Sequence, residues 1–260
     1  MSNNYVSEFF GLAGKSAVVI GSGGYLCSEM AIGLARAGVS IALLDKDQKK
    51  LKAIEKRIKK ITSKVIAIKI DVTRKEAHET ALKAVLKKYK KVDILINGAG
   101  INAPTSIMDI TAEEWHAIID SHVTATLFSC QVFGAHMIKR QKGSIINMSS
   151  TSAGPPLSKA FTYSVAKAGV KNLTQDLARE WASCNVRVNA LKPGFFPTAW
   201  GMKHFINQKR EKAILGHTPM GRYGSPKELV GAVLWLSSEA ANFVTGAEIA
   251  VDGGFSCMTI

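Results

Sequence analysis

Short apolar runs alternate with helical patterns along almost all of the 260-residue chain, and this alternation narrows the possible folds more than any other feature. Ala17 to Ile20, Ile41 to Leu44, Val65 to Ile70, Ile94 to Ile96, Ile145 to Met148, Val186 to Leu191 and Ala247 to Val251 read as strands. They are short, rich in β-branched residues and apolar on both faces, as strands covered by helices on both sides must be. Between them, Leu51, Ile54, Ile58 and Ile61 mark one helical stripe, and Ala81, Leu82, Val85, Leu86 and Tyr89 mark another. Repeated strand–helix–strand units require right-handed crossovers, so the expected fold is α/β, a doubly wound parallel sheet with helices on both faces. No linker, repeat or low-complexity tract divides the chain. Residues 1–260 are therefore expected to form a single domain, with the Pro- and Gly-interrupted stretch 195–225 as a substrate flap.

The formal net charge of +14 invites a nucleic-acid or membrane reading. Its location argues otherwise. Residues 46–91 hold 17 Lys or Arg against five acids, a local excess of +12, and the rest of the chain is close to neutral. That segment contains a single aromatic residue, Tyr89, whereas single-strand binders pair charge with stacking rings. It reads as the solvated face of two amphipathic helices, and no nucleic-acid partner is expected. No apolar stretch reaches the ~18 residues of a membrane span, and the opening residues show no signal-peptide pattern. Cys27, Cys130, Cys184 and Cys257 form no CxxC pair, so neither a disulfide framework nor a metal site is expected. A cytoplasmic protein fits these features.

The first strand runs straight into Gly21-Ser22-Gly23-Gly24, and a helical pattern begins near Tyr25. Glycines there let backbone N–H groups approach a pyrophosphate, which also gains from the positive end of the helix. Asp45 ends the second strand, 24 residues after Gly21. An acid at that point can bond the adenosine ribose hydroxyls and repel a 2′-phosphate, favouring NAD(H) over NADP(H); the competing role is a cap for the helix starting near Lys46. Asp71 ends the third strand and could face the adenine, and Asn97-Gly98-Ala99-Gly100 follows the fourth.

Beyond the fifth strand stand Ser149 and Ser150, then Tyr163 and Lys167, which share a helical face at a spacing of four. A phenol with a pKa near ~10 works poorly as an acid–base at neutral pH unless a cation stabilises the phenolate. Lys167 supplies that charge, Ser150 can hold the substrate oxygen, and Tyr163 can move the proton while a nicotinamide cofactor moves hydride.

These landmarks together resemble the short-chain dehydrogenase/reductase family over nearly the whole chain. The resemblance continues through Tyr163-Ser164-Val165-Ala166-Lys167, Arg187-Val188-Asn189, Pro193-Gly194 with Thr198, and Val251-Asp252-Gly253-Gly254. It implies a Rossmann-type sheet and a homodimer or homotetramer. It also implies catalysis by Ser150, Tyr163 and Lys167, and a cofactor site drawn from Gly21, Gly23, Gly24, Tyr25, Leu26, Asp45, Asp71, Val72, Asn97, Ala99, Gly100, Tyr163, Lys167, Pro193, Gly194, Phe196 and Thr198. Two positions depart from the family pattern. Tyr25 and Cys27 replace glycines of the loop, so the pyrophosphate is expected to rest on Gly23 and Gly24. His122 stands where the family places an Asn that anchors a proton relay to the Lys; it reads equally as a relay group and as a packed histidine bonded to a carbonyl.

The stretches Pro193 to Thr198 and His217 to Arg222, with the unusual glycine loop, resemble a sugar-acid branch of the family, of the mannonate (fructuronate) oxidoreductase and gluconate 5-dehydrogenase type. The implied activity is interconversion of a secondary alcohol and a ketone on a sugar acid or related polyol. The substrate would be a small molecule, anionic in the sugar-acid case, and Lys159, Lys203, His204, His217 and Arg222 are the candidate groups for its carboxylate. Two further readings are a non-catalytic nucleotide sensor on the same fold, suggested by Tyr25 and His122, and a 3-oxoacyl-type reductase.

Overall fold

The computed structural model describes residues 5–155, 157–198, 201–203 and 206–258. All seven expected strands are present: β1 (Ser16–Ile20), β2 (Ser40–Asp45), β3 (Val65–Lys69), β4 (Ile94–Asn97), β5 (Gly143–Met148), β6 (Val186–Pro193) and β7 (Glu248–Val251). They form one parallel sheet in the order β3-β2-β1-β4-β5-β6-β7. β1 pairs with β2 on one side and β4 on the other, so the chain reverses direction across the sheet at that point. A crevice opens there beyond the strand C-termini, the usual place for a ligand in this architecture.

The helices are α1 (Tyr5–Phe10), α2 (Tyr25–Arg36), α3 (Gln48–Lys59), α4 (Lys75–Tyr89), α5 (starting as Ala112–Ile119), α6 (Phe161–Trp181), α7 (Gln208–Gly216) and α8 (Val230–Leu236). After Ile119, α5 runs on to Lys139 through π-turns at Asp120–Thr124 and Cys130–Gly134. Strand residues alternate between two cores. Ala17, Val19, Ile41 and Leu43 pack with Met30 and Leu34 of α2, Leu51 and Ile58 of α3 and Val233 of α8. Val18, Ile20, Ala42 and Leu44 pack with Val85 of α4, Phe133 and Met137 of the α5 rod and Ala178 of α6. Fully buried neighbours on both faces explain why the strands read as unbroken apolar runs.

The stripe expected on α3 is shorter than the sequence suggests. Leu51, Ile54 and Ile58 are buried, but Ile61 is exposed because the helix has ended at Lys59. The cap of α3 is Asp47, whose carboxylate accepts from the Lys49 and Lys50 amides, which leaves Asp45 free of that duty. Lys49, Lys50, Lys52, Lys56, Lys59 and Lys60 are all exposed, so the basic segment is a solvated face. Among the described residues no helix is long and apolar enough to cross a membrane, and no His, Cys, Asp and Glu cluster could hold a metal ion. Among its described residues the 195–225 stretch contains α7 between irregular segments.

Candidate active site

The glycine loop is tight for reasons visible in its neighbours. Gly21 has φ +77°, and a Cβ there would stand 2.7 Å from the Gly98 and Ala99 backbone. A Cβ on Gly23 would meet Lys50 Cβ at 2.9 Å and the Asp45 carboxylate at 3.0 Å. The loop amides are already engaged. Those of Gly21 and Ser22 donate to Leu44 O, that of Gly24 to Gly21 O, and that of Gly23 to Asp45 Oδ2 at 2.9 Å. The Gly23 and Gly24 amides, on which the pyrophosphate is expected to rest, thus already have acceptors within the fold. Among the described residues, the first-turn amides of α2 at Tyr25, Leu26 and Cys27 have no backbone partner, and Gly24 caps the helix without a side chain. Those orphan donors sit at the positive helix end. Cys27 fits only because Gly98 lacks a side chain: a Cβ there would lie 2.1 Å from the sulfur. Burial pushes the Cys27 thiol up to about 12, so it stays neutral.

Asp45 is fixed at both oxygens, accepting from Gly23 and, through Oδ1, from the Asp47 amide at 3.0 Å. Asp71 is an exposed turn residue whose carboxylate accepts from the Thr73 hydroxyl and amide, which hold it below the ordinary carboxylate value. Val72 follows it and gives its carbonyl to His78. Asn97 turns inward: it donates to Asn147 Oδ1 at 2.8 Å and accepts from Ser129 Oγ at 2.6 Å, while Asn147 donates to Thr174. This buried chain ties β4, β5, α5 and α6 into the floor of the site and engages both ends of the Asn97 side-chain amide. Ala99 packs partly into the core beneath.

Two adjoining cavities open above this floor. One, of about 310 Å³, is bordered by Gly21, Gly24, Tyr25, Leu26, Gly100, His122, Lys167, Pro193 and Thr198. The other, of about 280 Å³, is bordered by Thr151, Leu157, Lys159, Ile206 and Arg210. Asn102, Ser150, Tyr163, Gly194 and Phe196 border both. Ser150 lies two residues past β5 in an extended conformation, and its hydroxyl lies 3.0 Å from Ser152 Oγ. Its neighbour Ser149 is occupied elsewhere, donating to Glu248 at 2.6 Å. Tyr163 and Lys167 do share a face of α6. Lys167 Nζ lies 5.5 Å from the Tyr163 ring centroid and donates to Met148 O at 2.5 Å. Burial raises the Tyr163 pKa, with the Ser150 hydroxyl acting the other way, and burial lowers that of Lys167 to about 8.

His122 is buried inside the first π-turn of α5, a helix irregularity that often marks a functional position. Its Nε2 lies 2.8 Å from Ile101 O, so that nitrogen carries the hydrogen and Nδ1 is left as an acceptor. Nδ1 has no partner among the described residues. The ring crosses that of Tyr163 edge to face at 5.2 Å and fills the space over Gly100, where a Cβ would fall 1.8 Å from it.

The candidate substrate cations separate clearly. Lys159 borders the second cavity. Arg222 forks onto Glu228 at 2.7 and 2.9 Å beside the Ser225 capping box, a structural role. His217 stacks edge-on against Phe255 at 4.7 Å, Lys203 is exposed outside the two cavities, and His204 lies outside the described residues. Sequence reasoning missed Asn102 and Arg210. Arg210 sits in the polar run Gln208-Lys209-Arg210-Glu211-Lys212, where nothing separates it from an ordinary solvated charge.

A family model described as enoyl-(acyl carrier protein) reductase matches residues 26–256. The chain is 39% identical to the uncharacterized oxidoreductase UxuB of Bacillus subtilis, over 94% of this chain and 95% of that one. It is 31% identical to the gluconate 5-dehydrogenase of Gluconobacter oxydans, over 96% and 97% respectively. A solved gluconate 5-dehydrogenase from Burkholderia cenocepacia J2315, in complex with NADP and tartrate, superposes with a TM-score of 0.90 at 28% identity, covering 95% of this chain and 97% of that one.

Proposed function

From the premise that the chain belongs to the short-chain dehydrogenase/reductase family, and is a nicotinamide-dinucleotide-dependent oxidoreductase of CH–OH groups, we propose that it interconverts a secondary alcohol and a ketone on a sugar acid or related polyol, with Tyr163 as acid–base and NAD(H) as preferred cofactor. The placement of Ser150 and Tyr163 on the wall common to the two cavities carries this reading. A reacting carbon held there has the dinucleotide side on one hand and the open substrate cavity on the other. In oxidation, the substrate O–H proton passes to the Tyr163 phenolate and the C–H bond breaks with both electrons leaving as hydride; reduction reverses both transfers. The bound dinucleotide supplies or takes that hydride. Ser150 holds the substrate oxygen, and the Lys167 ammonium favours the phenolate. The His122 ring, edge to face with Tyr163, packs behind that wall with Nδ1 unpaired among the described residues.

The orphan amides of Tyr25, Leu26 and Cys27 suit the pyrophosphate, with Pro193, Gly194, Phe196 and Thr198 along the nicotinamide side. Asp45, with both oxygens pinned, supports NAD(H) over NADP(H), because a 2′-phosphate would face a fixed negative charge. A cytoplasmic homodimer or homotetramer completes the reading. All four cysteines are free, and Phe161 and Val165 lie exposed one turn apart on α6, where a second copy can cover them.

The test is a panel of aldonates, uronates and polyols assayed with each cofactor. Tyr163→Phe should lower turnover by about 10²- to 10⁴-fold while NADH binding, read by fluorescence, persists. Full turnover in that variant, or a wild-type preference for NADP(H), would overturn the corresponding part of the proposal.

A further inference from the structure

The cavity on the substrate side of Tyr163 is bordered by no acid among the described residues, but by two cations, Lys159 and Arg210. Three other cations near this end of the sheet have carboxylate partners, since Lys171 and Lys192 meet Glu248 and Arg222 meets Glu228, while Lys167 is buried on a carbonyl. Neither Lys159 nor Arg210 forms an ion pair among the described residues.

Arg210 is nevertheless held in place. Its guanidinium donates to Ser158 O at 2.8 Å and to Ser158 Oγ at 3.2 Å. Two of five N–H donors are thereby used, and the charge and the remaining donors stay available. Because its partner is Ser158, the same contact brings it to the loop that carries Lys159. Lys159 has φ +59°, a left-handed conformation uncommon for a residue with a side chain, so the loop bends sharply at this point. A preorganised cation loses less on binding than a free side chain does, which separates Arg210 from the exposed lysines of α3 and α4.

We infer that Arg210, with Lys159 beside it, reads a carboxylate on the substrate while Ser150 and Tyr163 hold the reacting carbon. The substrate is then a sugar acid whose carboxylate is held apart from the carbon that changes oxidation state. Asn102 and Thr151, on the same cavity wall and without a side-chain hydrogen bond among the described residues, are left for its hydroxyls. This inference rests on the oxidoreductase reading of Ser150, Tyr163 and Lys167 and adds to it the charge class of the substrate.

The experiment compares kcat/KM for an aldonate or keto-aldonate with that for the neutral polyol or ketose of the same chain length, with NADH fluorescence as the folding control. Wild type should favour the acid. Arg210→Gln should raise KM for the acid and reduce the acid-to-neutral ratio by about 10- to 100-fold, the range for losing one charged hydrogen-bonded contact. Arg210→Lys should recover part of the ratio, and Lys159→Gln should reduce it by a smaller factor. If Arg210→Gln does not fold, Arg210→Lys and Lys159→Gln carry the test, since each must still lower the ratio. An equal fall on acid and neutral substrates would mean that Arg210 only ties α7 to the 157–159 loop, and the inference would fail. It would fail equally if wild type preferred the neutral substrate, although loss of turnover in Tyr163→Phe would still leave the oxidoreductase reading standing.

Discussion

At the N-terminal ends of the strands, Asp93 lies between Arg140 at 2.9 Å and Lys91 at 3.3 Å, and Glu239 lies between Lys15 at 2.8 Å and Lys142 at 3.3 Å. At the C-terminal ends, Lys167 is just as deeply buried as Asp93 but meets a single carbonyl and, among the described residues, no carboxylate. The larger cavity, about 670 Å³, lies at the N-terminal end. Size alone would choose the wrong end of the sheet. Burying a charge is expensive, and a fold that does so without a counter-ion gives up stability to keep that charge available. At the N-terminal end the buried charge is paired, and at the C-terminal end the buried Lys167 ammonium is left without a counter-ion among the described residues.

Lys167→Met tests that contrast most severely. Turnover should fall by about 10²- to 10³-fold as the phenolate loses its cation. Stability should move in the opposite direction, rising at pH 7 by on the order of 2 kcal/mol. The sign follows from burial, which lowers the folded pKa to about 8 from 10.5. Below pH 8 the folded chain carries the whole cost of the buried ammonium. Between pH 8 and 10.5 the folded form sheds its proton before the unfolded chain does, and wild-type stability climbs. The advantage of the variant should therefore be greatest below pH 8 and fade towards pH 10.5 in urea titrations. A variant no more stable than wild type at pH 7 would show that the ammonium is compensated in the fold.

Asp93→Asn should do the reverse, costing about 2–3 kcal/mol of stability while leaving kcat per folded molecule unchanged. Burial alone would raise the Asp93 pKa, but the Ser16 amide, Arg140 and Lys91 more than offset it and hold the carboxylate ionised. Removing that charge leaves Arg140 facing an incomplete site. Urea unfolding paired with active-site titration would separate the two readouts, and a fall in kcat without loss of stability would erase the distinction between the ends.

The sheet was legible because each strand is a short apolar run with no polar face, a pattern that few other structures produce. The Ser150, Tyr163 and Lys167 set was legible for a similar reason, since a strand end followed by a helical i,i+4 pair fixes their relative positions. What stayed hidden depends on contacts between distant segments. The Gly23 amide is bonded to the Asp45 side chain, 22 residues away. Asn97 is turned inward by Ser129 and Asn147. Ile61 has the right spacing for the α3 stripe, but the helix stops two residues too soon. Arg210 differs from its lysine neighbours only through Ser158, 52 residues earlier.

His122 gives the mildest and most discriminating test, because it combines features of both ends. Like Asp93 it has a fixed internal partner, Ile101 O, and like Lys167 it keeps buried bonding capacity unused among the described residues, here at Nδ1. Burial, reinforced by the nearby Lys167 charge, lowers its pKa from 6.5 to about 3. Burial therefore favours the neutral ring, with the hydrogen on Nε2 and a lone pair on Nδ1. The same shift makes it an acid-sensitive element. Above pH 6.5 neither state binds the proton and the ring costs nothing; as pH falls from 6.5 towards 3 the unfolded chain takes it up while the folded ring does not, and stability drops. The share due to this residue is about 1.4 kcal/mol per pH unit, the value of one unit of pKa difference. His122→Asn removes the titrating group, so the stability lost between pH 7 and pH 5 should shrink by about 2 kcal/mol relative to wild type. Superimposable acid limbs for the two proteins would mean that the folded ring takes up its proton at an ordinary pH, which would restore His122 as a charged proton carrier beside Tyr163.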